Sequence, residues 1–99
     1  MNPPTTATRH LFTFILDHAG GTYLSQYKGR TANEALRAWL AREPAKLEAL
    51  IKSRFAGHLA RKWAEADGLV ALSAVTNVWC RTALLPRGLA LLNIIKTSP

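Results

Sequence analysis

Residues 11–40, LFTFILDHAGGTYLSQYKGRTANEALRAWL, decide the fold class. Two apolar-rich runs flank His18-Ala19-Gly20-Gly21, and the freedom of glycine at positive φ lets one run fold back on the other as a hairpin. Alternation in the first run, about 9–17, sets Phe12, Phe14 and Leu16 on one face and Leu11, Thr13, Ile15 and Asp17 on the other. In the second run, about 22–28, Tyr23, Ser25 and Tyr27 alternate with Leu24, Gln26 and Lys28. One face of this hairpin is strongly aromatic and the other mixed, the pattern of an antiparallel sheet with helices on one side and a partly wet second side. Thr31 then opens a helix, and Glu34 stands three residues on. In that Thr-x-x-Glu capping box each side chain satisfies an otherwise unpaired backbone N–H.

Working outward, the first helix spans about 32–42, with Ala32, Ala35, Leu36, Trp39 and Leu40 at helical spacing. Pro44 is well placed in a first helical turn, so a second helix is expected to start there and run on through LEALIKSRFAGHLARKWAEA. Two versions of it stay open: one long bent helix, or two short ones meeting at Gly57. Asp67-Gly68 is a stop signal. Three strands follow, near 69–75, 78–84 and 89–96. Leu85-Pro86-Arg87-Gly88 makes the turn before the last of them. Thr76-Asn77 is a weaker hairpin signal, and a bulged continuous strand also fits it. The expected fold is α+β: a single antiparallel sheet with the helices packed on one face, in the order β-β-α-α-β-β-β.

Residues 1–8, with Pro3-Pro4, are expected to be a disordered leader, and 9–99 a single α+β domain. Apolar residues make up 48% of the chain and charged ones 19%, which excludes general disorder. The single cysteine, Cys80, excludes an internal disulfide framework and suits a reducing compartment. No export signal and no apolar run long enough to span a bilayer is present, so a cytoplasmic location is expected. Alanine- and arginine-rich usage points to a bacterial source. Thirteen Lys+Arg against six Asp+Glu give a formal charge of +7, which raises the local concentration of polyanions, nucleic acid among them.

Chemistry has few candidates. His10, His18, His58 and Cys80 show none of the short ligand spacings of zinc sites, so no metal and no cofactor is expected. Cys80 with one of the histidines is the one nucleophilic pairing available, and in VWCRT it reads instead as a small buried hydrophobe. The carboxylates offer no acid/base pair, and Gly20-Gly21 is too short to cradle a phosphate. An enzyme is therefore not expected. Lys52, Arg54, Arg61 and Lys62, with Lys46 and His58 nearby, are the candidates for contact with phosphates or with a partner, although their angular spread is broad. Tyr23 and Tyr27 either stack bases on an exposed sheet face or pack beneath the helices, the latter favoured. Trp39, Trp63 and Trp79 are expected to share a core. The final strand, LALLNIIKT, is apolar on both faces, hence either central or an edge that pairs with a second copy.

Residues 12–39, FTFILDHAGGTYLSQYKGRTANEALRAW, resemble the opening of HicB-type antitoxins, a hairpin followed by a helix led by a Thr-x-x-Glu-Ala-Leu signature. That signature stands here as Thr31-Ala32-Asn33-Glu34-Ala35-Leu36. The proline-rich turn that precedes the helix in the family is missing, and nothing after residue 42 is similar. The resemblance implies binding and masking of a small toxin, with DNA binding supplied by a separate region. The residues by themselves point to a small non-catalytic interaction module that self-associates as a homo-oligomer, its protein partner being another protein or its own copy in a homodimer. A basic nucleic-acid-binding protein is the alternative.

Overall fold

The two runs on either side of the glycine turn pair residue for residue. In the computed structural model, which describes residues 9–51, 54–65, 70–72 and 75–97, β1 (His10–His18) and β2 (Gly21–Gly29) form an antiparallel hairpin. Its register sets Phe12 opposite Tyr27, Phe14 opposite Ser25 and Leu16 opposite Tyr23, so the aromatic face is assembled as expected. The turn differs in one residue. Positive φ falls on Ala19 (50°) and Gly20 (82°), giving a two-residue loop whose twist matches the strands, while Gly21 already belongs to β2.

Helix α1 (Ala32–Ile51) begins at Thr31, whose Oγ1 accepts the Glu34 N–H at 3.1 Å. The return arm of the box is shifted by one residue: the Glu34 carboxylate accepts the Arg30 backbone N–H (2.8 Å) and pairs with its guanidinium (2.9 Å). The expected boundary at Pro44 is corrected, because α1 runs straight through it. Pro44, Leu47 and Ile51 prolong the buried stripe of Ala35, Leu36 and Trp39. Burial of that stripe in the core shared with the sheet and the second helix outweighs the roughly 3 kcal/mol that proline costs a helix interior.

A break does follow, but not at Gly57, which is an exposed residue inside α2 (Phe55–Glu65). α1 ends at Ile51 and α2 starts just after Arg54, whose φ is 54° and whose carbonyl accepts the first α2 bond from the His58 N–H (3.0 Å). Length explains the break: one unbroken helix would reach about 50 Å, against about 30 Å for a nine-residue strand. Arginine has no short oxygen with which to cap, and Glu48 of α1 supplies one by accepting the Ala56 N–H at 2.9 Å.

Strands β3 (Val70–Ala71), β4 (Val78–Leu85) and β5 (Gly88–Lys96) complete one five-stranded antiparallel sheet, ordered β2-β1-β5-β4-β3. The element order and the placement of both helices on one face are those expected from the sequence. Of the expected strand 69–75, the described part is β3, with Val70 opposite Cys80 and Ala71 opposite Trp79, and the Leu72 N–H still donates to the Val78 carbonyl at 3.1 Å; residues 69, 73 and 74 lie outside the described residues. Thr76-Asn77 lies in the loop that closes this pair, with Asn77 at φ 62°. The 1–8 leader and the Asp67-Gly68 stop lie outside the described residues.

β5 is central, flanked by β1 and β4, which closes the expected route to a dimer through an exposed final strand. Its Ala90, Leu92 and Ile94 face the helices together with Phe12, Phe14 and Leu16. Trp39 stacks on Phe14 (5.9 Å between centroids, 12° between planes) and reaches Trp63 at 6.2 Å. Tyr27 meets Phe14 edge-on at 5.9 Å, so the tyrosines pack beneath the helices and not on the outer face.

Candidate docking surfaces

Because both helices lie on one face, the residues that alternate with the core form a second sheet face, and among the described residues nothing covers it. Register aligns its rows: Leu24 beside Ile15, Ile15 beside Asn93, and Asn93 beside Cys80. Leu91 and Ile95 extend it along β5, and Leu84 lies beside Leu89 at one end. Leu24 and Leu84 are each 68% exposed and Leu89 56%, unusual for large aliphatic side chains on so small a sheet. The expected partly wet face is thus largely apolar. The signal was present in the alternate positions of β1, β4 and β5, which carry aliphatic residues on both sides of the sheet.

Basic residues gather elsewhere. The break after α1 places Arg54, His58, Arg61 and Lys62 at i, i+4, i+7 and i+8, one face of α2 and its leading residue. The broad angular spread read from the sequence narrows, because Lys46 is left on α1 beside Glu43 (3.5 Å). Lys52 lies outside the described residues. Arg54, Arg61 and Lys62 are exposed, and none makes an ion pair among the described residues. His58, Arg61 and Lys62 line a notch of about 250 Å³ with Leu85 and Pro86 at the β4–β5 turn. Arg87 of that turn donates to the Ile51 carbonyl at 2.9 Å, closing the C-terminal end of α1.

Cys80 and the histidines do not meet. Cys80 is half-buried on the helix-free face, whereas His10 and His18 alternate onto the helix side with Phe12 and Leu16. The His18 ring is buried against Phe55 (5.4 Å) and its Nδ1–H donates to the Leu89 carbonyl at 3.2 Å. Among the described residues no group of histidine, cysteine and carboxylate side chains is arranged to hold a metal ion. Among the described residues no helix is long and apolar enough to cross a membrane. One buried charge escaped the sequence reading: Arg81 lies with its guanidinium 4.9 Å over the Trp63 ring and donates to the Trp63 carbonyl at 3.1 Å. Its alternation with Trp79 and Ala83 was the clue that it points under α2.

Comparison with family models, with curated proteins and with solved structures finds no match to this chain. The resemblance to HicB-type antitoxins therefore stands on residues 12–39 alone, which form the observed hairpin and the first turns of α1.

Proposed function

We propose that the protein is a small bacterial, cytoplasmic interaction module that works by docking against another protein surface and has no chemistry of its own. The observation that carries this reading is the helix-free sheet face with its exposed Leu24, Leu84 and Leu89. Monomeric soluble proteins rarely leave a contiguous apolar area of that kind open to water, and such areas mark interaction sites. The decisive experiment is a pull-down with the full chain from nuclease-treated and untreated lysates. The expected result is capture of protein, its own copies included, that survives nuclease and is lost in Leu84→Glu. Capture that disappears with nuclease would refute the reading.

A second reading has its own support in the α2 surface, where Arg54, His58, Arg61 and Lys62 share a face without acidic partners among the described residues. Such a face tracks phosphates, and affinity for nucleic acid would then fall steeply with added salt. Replacing Arg61 and Lys62 together by glutamate separates the two surfaces, since it abolishes phosphate binding and leaves apolar docking intact.

A further inference from the structure

We propose that the occupant of the helix-free face is a second copy of this chain, packed face to face so that two sheets close into a sandwich with the helices outside. The inference rests on the docking reading above and names its partner.

Size supports it. Strand spacing and rise give four strands of eight or nine residues a footprint of about 19 by 30 Å, so a face-to-face pair buries about 1,100 Å², at the low end of the range of specific interfaces. Two such layers pack about 10 Å apart through interdigitating side chains, as in any two-sheet sandwich.

Charge supports it independently. The chain carries +7, and copies meeting through most of their surface would repel. The helix-free face is the exception, for its strand positions carry one Asp17 and one Lys28 and are otherwise apolar or neutral. These two sit near opposite ends of the hairpin, Asp17 opposite Thr22 and Lys28 opposite Leu11. A two-fold axis running across the strands directs the Asp17 end of one copy toward the Lys28 end of the other, so opposite charges approach and like charges separate. An isologous pair of this kind is also closed and presents no second copy of the site.

The pairing is tested by light scattering and sedimentation of the full chain across a wide range of concentration, with Leu84→Glu and Leu24→Glu as variants. Both leucines are exposed in the single copy, so neither change disturbs its core, and circular dichroism checks the fold. Expected are a mass of two chains, persistence in high salt, and at least about a tenfold weaker dimer in each variant, since either glutamate would be buried without a partner. A dimer weakened only by Leu24→Glu would overturn the sandwich in favour of pairing along the β2 edge. A dimer insensitive to both variants would overturn it as well. A monomer at every concentration would remove the second copy as occupant. The broader docking reading would then stand or fall on whether Leu84→Glu still abolishes capture of a different protein.

Discussion

The Tyr27 hydroxyl donates to the Glu43 carboxylate at 2.5 Å, joining the outermost long strand to the residue that precedes the proline within α1. Burial, and then the hydrogen bond to Glu43, push the phenol up to about 12. In the unfolded chain a tyrosine titrates at about pH 10. Below that value both states hold the proton and the contact is fully stabilising. As pH rises from there toward 12, the unfolded chain releases its proton first, so stability falls across that window. Chemical denaturation on either side of it should show the fall. Tyr27→Phe should lower stability at neutral pH by about 1–2 kcal/mol and remove Tyr27's share of the alkaline loss.

Thr31 caps α1 through a single oxygen, with Glu34 bracing the preceding residue. Thr31→Ala should destabilise the protein by about 1 kcal/mol, a fall of roughly 4–8 °C in Tm for a domain of this size. Hydrogen bonds from Arg30 hold the Glu34 carboxyl below its ordinary range. Its contribution is therefore present at neutral pH and disappears only as pH drops through that lowered value, which an acid titration of Tm should reveal.

Ala19 occupies a left-handed position that asparagine or glycine tolerates better. Ala19→Asn should raise stability by about 1 kcal/mol, read as an upward shift of Tm, because Asn-Gly suits the two-residue loop. An unchanged or lower Tm would contradict the turn geometry.

Arg81 bridges the end of α2 to β4 through the face and the carbonyl of Trp63. Arg81→Met retains much of the packing but removes the charge and its donors. A loss of about 1–3 kcal/mol is expected in denaturant titrations followed by tryptophan fluorescence.

The sequence carried the order of elements because each relied on a local cue: alternation in the hairpin, the Thr31 cap, the Pro86-Arg87 turn. Where it misled, a distant partner overrode the local cue. Pro44 reads as a start, yet the buried stripe on either side of it keeps one helix whole. Gly57 reads as a kink or a break, but the length of the sheet and the cap donated by Glu48 set the start of the second helix just after Arg54. The basic candidates Arg54, Arg61 and Lys62 were nameable from composition. That they share a face became visible only once the helix boundary was known. The apolar helix-free surface is the opposite case, written in alternate residues of three strands but meaningful only when both helices are found on the other side.

The position of β5 has a kinetic consequence. Residues 91–96 must slot between β1, near the other end of the described chain, and β4, so the sheet is joined by its most remote pairing. Until that strand arrives, the β1–β2 hairpin and β4 have no contact with each other, and their apolar sides remain open to misassociation. High average separation between contacting residues slows folding, so the assembly step should be set by the search of β5 for its slot, with nascent or shortened chains the most prone to aggregate.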